Sequence, residues 1–275
     1  MVRIASVNVN GVRAAFRKGM GPWLDAREVN VLALQEVRAE REDLEALLGD
    51  DWVVSHDAAT AKGRAGVAIA TRVPHVSVST KLGPASLDTA GRWIETNIMT
   101  PLGNSLTIVS CYVHSGEVDT PKQVAKYEFL TAMTKRMKQL GASDQPAVVV
   151  GDLNVGHRTL DIRNWKGNKK NSGFLLEERA YFDQWMGHEE DADYNTGTKG
   201  RFVDIGRSTQ GEVEGPYSWW SWRGKAFDND TGWRIDYQLA NAALAPAVTQ
   251  YAVDRAESYD TRWSDHAPVV ADYNI

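Results

Sequence analysis

One cysteine, Cys111, stands among 275 residues, so no disulfide can close within the chain. The first residues show no charged segment followed by an apolar run and a small-residue cleavage site, and a reduced, cytoplasmic protein is expected. Long hydrophobic runs are missing too. Stretches such as Ala147–Val150 fall far short of the roughly 20 apolar residues that a membrane helix needs, which excludes a membrane partner. Positive charge is in deficit: 31 Lys and Arg face 36 Asp and Glu, a formal charge of −5, unlike a polybasic binder. Low-complexity stretches and repeats of fixed period are also absent, so a single domain over residues 1–275 is expected, with monomer as the default state.

The composition that remains, 43% hydrophobic and 24% charged, is ordinary for a globular domain of this size, which buries roughly 75% of its unfolded surface. Tryptophan is the exception. Ten occur, with a cluster at Trp219, Trp220, Trp222 and Trp233; a Trp-rich core accounts for most of them, and a flat apolar face for a ligand would account for some. Charge is uneven. Met1–Met20 carries Arg3, Arg13, Arg17 and Lys18 with no acid, and Arg158–Lys170 holds five basic residues against Asp161 alone. An acidic protein with local basic patches can still track a polyanion, because the field at the patch outweighs the sum.

Alternation and β-branched content predict strands at Val2–Val9, Val31–Gln35, Trp52–Asp57, Gly66–Thr71, His75–Thr80, Arg92–Met99, Ser105–Tyr112, Ala147–Gly151, Ile235–Ala240, Val248–Val253 and Pro268–Tyr273. Helical patterns fall at Pro22–Glu28, Arg41–Leu48, Pro121–Leu140 and Leu175–Met186, the third with Thr120 as N-cap, Pro121 at its first position and Gly141 beyond its end. Strands outnumber helices and several are joined by few residues, which favours an α/β or α+β sandwich over a doubly wound parallel sheet. Two long Gly-rich segments, Asp152–Leu175 and Ser208–Trp233, have the length of functional loops.

Two strands finish alike, in Asn8-Val9-Asn10-Gly11 and in Asp152-Leu153-Asn154-Val155. Residues two apart on a strand share a face, so Asn8 with Asn10, and Asp152 with Asn154, are expected to project together from a sheet edge; alone, each pattern is also a turn signal. The apolar strand Val31–Gln35 delivers Glu36 at its end, where a carboxylate caps a helix or binds a hard cation. Asp265-His266 enters the last strand, and Asp236 could orient that imidazole; the plainer reading is a polar turn. The segment Arg163–Asn171 interleaves Asn, Lys and Gly beside Asp152, as a phosphate clamp or a solvated basic loop would.

Taken in order, SVNVNG at 6–11, LQE at 34–36, CYV at 111–113, GDLNV at 151–155, RNWKGNKKNSGF at 163–174, GWRIDY at 232–237 and SDHAP at 264–268 resemble the exonuclease III type of apurinic/apyrimidinic (AP) endonuclease, in the endonuclease/exonuclease/phosphatase superfamily. The resemblance implies a four-layer sandwich, two packed β-sheets between helices, with the active site at one sheet edge. It implies a Mg²⁺-dependent DNA repair phosphodiesterase, Mn²⁺ being the other ion considered, that cuts duplex DNA 5′ to abasic sites or trims 3′ termini. Glu36 would be the principal metal carboxylate, with Asn8, Asp152, Asn154, Asp265 and His266 around the metal. Asp152 would activate the water, Asn154 would position it, Tyr112 would contact the phosphate, and Asp236 would hold a cationic His266 against it. Arg13, Asn164, Asn168, Lys169 and Asn171 would bind the DNA backbone, and Trp219, Trp233 and Ile235 would line a pocket for an extruded, base-free sugar.

Three departures from the family pattern stand out, the first at a phosphate contact and the other two in the grip on duplex DNA. Ser115 stands where relatives carry an amide side chain, and Gly116–Thr120 lacks an Arg that some relatives insert into the duplex; Arg64 stands where some carry a groove-inserting aromatic. The alternatives are the same scaffold acting on a phosphorylated headgroup, and a non-catalytic DNA-binding module.

Overall fold

The computed structural model describes residues 1–61 and 63–275. Its strands are β1 (Val2–Asn8), β2 (Val31–Gln35), β3 (Val53–Asp57), β4 (Val67–Thr71), β5 (His75–Ser79), β6 (Trp93–Met99), β7 (Ser105–Tyr112), β8 (Ala147–Asp152), β9 (Phe202–Asp204), β10 (Asp236–Asn241), β11 (Val248–Val253) and β12 (Val269–Tyr273). They form two six-stranded sheets, ordered β11-β12-β1-β2-β4-β3 and β5-β6-β7-β8-β10-β9. Near the middle of each lies one parallel pair, β1 with β2 and β7 with β8, flanked by antiparallel neighbours.

Period-2 alternation sorts the side chains into layers. Ile4, Ala33, Ile108 and Val150 point between the sheets into a shared core. On the outer face of the first sheet, Val7, Leu32 and Leu34 pack under α1 (Val12–Arg17), α2 (Met20–Arg27) and α3 (Arg41–Leu48). Val109 and Val149 of the second sheet pack instead under Phe129 and Met133 of α4 (Pro121–Gly141) and Phe182 of α6 (Leu176–Met186). Helices outside and two sheets inside make the expected four-layer sandwich. Among the described residues no helix is long and apolar enough to cross a membrane.

Strand boundaries fall within two residues of the sequence reading, and outside it lie, besides three 3₁₀ turns, the short elements α1, β9, α5 (Trp165–Asn168) and α7 (Ile205–Gln210). None is long enough to repeat its hydrophobic period twice. The helix expected at Pro22 begins at Met20, because a proline in the first turn replaces an N–H that has no intrahelical acceptor. Thr120 caps α4 as expected, accepting from Lys122 N at 3.2 Å, and the helix runs one residue further, through Gly141.

Register brings the site together. Asn8 lies beside Gln35, Tyr112 beside Asp152, and Asp152 beside Asp236, so strand ends from both sheets meet at one edge. Gly151 makes the approach of β8 to β7 possible: with φ 138°, it lies where a β-carbon would collide with the Cys111 carbonyl on β7.

Candidate active site

At this edge the strand ends and the loops beyond them enclose a cavity of about 370 Å³. Glu36, Tyr112, Asp152, Asn154, Asp265 and His266 line its polar part, and Trp219, Trp233 and Ile235 its apolar part.

Asp152 is the centre of the polar network. Its Oδ1 accepts the Asn154 backbone N–H at 3.0 Å; its Oδ2 accepts the side-chain amides of Asn154 at 3.1 Å and Asn8 at 2.9 Å. Burial pushes its pKa up to about 7, against the pull of the nearby His266 cation. A carboxylate held by donors yet poised near neutrality is suited to taking a proton from water.

His266 hydrogen-bonds Asp236 Oδ2 through Nδ1 at 2.8 Å, leaving Nε2 3.7 Å from Asp152 Oδ2. Burial disfavours the charged ring, but Asp236 and Asp152 outweigh it and hold its pKa up at about 10. The imidazole is therefore a cation at neutral pH. Ser218, which sequence reading missed, donates to Asp236 Oδ2 at 2.6 Å and accepts the backbone N–H groups of Ile235 and Asp236, fixing the carboxylate that fixes the histidine.

Glu36 sits just past β2 with φ 51°. Its Oε1 accepts Asn8 Nδ2 at 3.0 Å and the Tyr112 hydroxyl at 2.6 Å, and its Oε2 pairs with Arg38. Burial and the neighbouring Glu36 push the Tyr112 phenol far up, so it stays protonated and donates. Asn8 turns its amide nitrogen to both carboxylates, while its oxygen accepts Asn10 N at 3.0 Å. It thus bridges Glu36 and Asp152 in this arrangement.

Asn10 departs from the expected shared face with Asn8. The strand ends at Asn8, and Asn10, at φ 46°, sends its amide to Asp265 Oδ1 at 2.9 Å. The other Asp265 oxygen accepts the Trp219 indole N–H at 3.1 Å. Burial notwithstanding, the His266 cation and these two donors hold Asp265 below the usual carboxylate range. Asp265 therefore ties a pocket tryptophan to the end of β1.

Trp219 meets Trp233 edge-on, ring centres 5.9 Å apart, at the cavity wall. Trp220 is buried against Phe227, and Trp222 lies at the surface, 42% exposed, so neither lines the cavity. Ser115, Gly116, Ser172 and Gly173 complete the lining. Ser172 and Gly173 directly follow the Asn/Lys loop, which was the signal that could have found them.

The expected backbone contacts lie outside the cavity. Asn168 donates to Asn164 O at 2.9 Å, Asn171 donates to Asn168 Oδ1 at 3.0 Å, and Lys169 rests 4.7 Å from the centre of the Trp165 ring, so the loop is organised by its own bonds on and after α5. Arg13, on α1, pairs with Asp43 at 3.2 Å and lines a separate cavity with Arg38 and Arg64.

The donor set suits a hard divalent cation, which takes carboxylate oxygens and keeps waters for a phosphate to replace. Asp152, Asp236 and His266 offer ligand atoms within 4.8 Å of one another. Glu36 adds a further carboxylate at the same cavity, linked to Asp152 through the side-chain amide of Asn8.

Comparison with known proteins agrees with this chemistry. The profile of the endonuclease/exonuclease/phosphatase family matches residues 5–266. The chain is 28% identical to an exodeoxyribonuclease of Bacillus subtilis (strain 168) over 275 residues, all of both chains, and 27% identical to the DNA repair nuclease APEX1 of Danio rerio, over 98% of this chain and 81% of that one. Its fold is similar to that of an AP endonuclease from Archaeoglobus fulgidus, with a TM-score of 0.83, 26% identity and 100% of each chain covered. The chain belongs to the endonuclease/exonuclease/phosphatase family, to its exonuclease III type of AP endonuclease.

Proposed function

We propose that this DNA repair nuclease hydrolyses phosphodiesters of duplex DNA 5′ to abasic sites and at 3′ termini, with the scissile phosphate between Asp152 and His266. One observation carries the reading: Asp152, held by the amides of Asn8 and Asn154, and His266, held by Asp236, converge on a cavity whose other wall is Trp219, Trp233 and Ile235. Asp152, held by Asn8 and Asn154, takes the proton from the attacking water. Asn154 orients both the carboxylate and that water. His266, fixed by Asp236 and Ser218, donates from Nε2 to a phosphoryl oxygen, and Tyr112 donates its hydroxyl to another once Glu36 is otherwise engaged. Growing negative charge is met by donors already in place, which is where most of the rate gain in such sites arises.

Glu36, aided by Asp265, would hold a divalent ion, Mg²⁺ or Mn²⁺, whose charge would neutralise phosphoryl and leaving oxygens. The tryptophan wall accepts a flipped sugar; a missing base removes both the unstacking cost and the bulk that the wall would exclude. Arg13 and the loop from Asn164 to Asn171 contact the backbone of the same duplex.

The test is a time course with Mg²⁺, then with Mn²⁺, on an end-labelled duplex carrying one internal abasic analogue, beside an intact duplex with a recessed 3′ end. Cleavage at the abasic position is expected along with shortening from the 3′ end. A ladder from the 3′ end alone would restrict the function to trimming, and intact DNA in both arms would overturn the reading.

A further inference from the structure

We propose that Lys126 and Glu178, a buried ion pair between α4 and α6, are positioning residues for the hydrolysis, holding one wall of the cavity and the Asn154 turn in working geometry. The inference rests on the phosphodiester reading above.

Both side chains are fully buried, with Lys126 Nζ 2.7 Å from Glu178 Oε1. Packing of two helices gives no reason for such a pair, since apolar residues of similar volume often serve as well or better. What the pair holds is more informative. The ammonium donates to the backbone carbonyls of Asn154 at 2.9 Å and Ser115 at 3.2 Å. Glu178 accepts the Gly173 N–H at 2.7 Å and the Ser172 hydroxyl at 3.0 Å. These four partners line the cavity, while Glu178 also accepts the Gln123 amide at 2.8 Å and the Leu175 N–H at 3.1 Å outside it.

These are backbone and loop groups that no apolar pair could hold. Asn154 matters most, because its backbone N–H and its side chain hold both oxygens of Asp152, and its φ of 50° is a conformation that its surroundings must maintain. The ammonium therefore acts on the base through one intermediate residue. The Ser115 and Ser172 segments also pack closely: a β-carbon at Gly116 would meet Lys126 Cδ at 2.9 Å. The Ser115 and Ser172 segments are also bonded directly, Ser172 Oγ to the Ser115 carbonyl at 2.6 Å, so what the ion pair adds is its hold on the Asn154 carbonyl and the Gly173 N–H; a misplacement of about 1 Å in a catalytic constellation costs on the order of 10²-fold in rate.

The experiment uses the full chain, on whichever of the two duplexes above the wild type cleaves faster. Lys126→Met and Glu178→Met are combined, so that no buried charge is left unpaired, and kcat, KM and affinity for the same duplex without metal are measured on folded protein. The expected result is a kcat lower by about 10²-fold, with KM and affinity within about 3-fold of wild type. Glu178→Gln alone, which keeps volume and one acceptor oxygen, is expected to fold and to lose about 10-fold in kcat, and it decides the matter if the double variant does not fold. Wild-type kcat in either folded variant, or a loss confined to KM, overturns the proposal. A wild type that cleaves neither duplex overturns the phosphodiester reading itself, and this inference with it.

Discussion

The ends of β1 and β8 carry the same sequence device and use it differently. Asn8-Val9-Asn10 and Asp152-Leu153-Asn154 both bury the middle residue, both turn left-handed at the third, at φ 46° and 50°, and both bond the third backbone N–H to the first side chain at 3.0 Å. The side-chain amides then diverge: Asn154 returns to Asp152, whereas Asn10 leaves for Asp265. The acceptors explain it. A carboxylate offers a second oxygen to the amide two residues on; beside Asn8, whose single oxygen accepts the backbone N–H, the Asn10 amide takes the carboxylate of Asp265 as its acceptor instead, at 2.9 Å. The shared pattern encodes a turn, and the charge of its first residue decides whether that turn holds a base or braces a pocket.

The largest effect is expected where that difference is erased. Asp152→Asn makes the end of β8 chemically like that of β1 and removes the proton acceptor; kcat on abasic duplex should fall by about 10⁴-fold, the upper range for a general base, while duplex affinity persists. Turnover within about tenfold of wild type would show that the charge of Asp152 does not set the two ends apart.

The ends are also anchored differently. Ser264 Oγ donates to the Asn8 carbonyl at 2.7 Å, whereas the strand facing Asp152 is entered through Arg234, which bonds Asp161 at 2.7 Å and Asp204 at 2.6 Å with all three buried. Burial would raise Asp161, but Arg234 and Arg207 outweigh it and hold its carboxyl well below the usual range. Its contribution to stability is thus complete above the unfolded carboxylate value near 4 and is lost as pH falls towards the lower folded value. Asp161→Asn should cost about 3–5 kcal/mol at pH 7 in urea unfolding, with the gap to wild type closing below about pH 4. Coincident midpoints at pH 7 would mean that β10 needs no such anchor.

Much of this was legible in the sequence, for reasons that also mark the limit. Strands of five or more residues announce themselves by alternation, whereas β9 and α7 are three and six residues long and are held by contacts with distant β10 and β11. At the site, motif order named Asp152, Asp236 and His266, because each borders an apolar run: Asp152 ends β8, Asp236 begins β10 and His266 precedes β12. Lys126 and Ser218 were illegible: one is an ordinary helix lysine and the other an ordinary loop serine until the fold brings Asn154 and Asp236 to them. The direction of the Asn10 amide was illegible too, since its partner Asp265 lies 255 residues away.

Truncating the two third residues grades the comparison. Asn154→Ala removes the side-chain donor to Asp152 and a bond to the Val113 carbonyl at 2.9 Å, and kcat should fall by about 10²-fold, as for loss of one preorganised donor. Asn10→Ala frees one oxygen of Asp265 but leaves its bond from Trp219, so a loss of about tenfold is expected, one charge-assisted hydrogen bond acting at one remove. Equal losses in single-turnover rate would erase the distinction between holding a base and bracing a pocket.

The smallest effect is expected where neither strand end reaches. Lys169 packs on Trp165 in a loop whose asparagines bond one another, so its charge is free to meet a phosphate without touching the chemistry. Lys169→Ala should leave kcat unchanged and flatten the plot of log affinity against log salt by about 0.9, the signature of one neutralised phosphate. An unchanged slope would take Lys169 out of the DNA footprint. A fall in kcat would mean that the loop, like the end of β8, is coupled to the base, and the division of labour between rigid strand ends and a gripping loop would have to be redrawn.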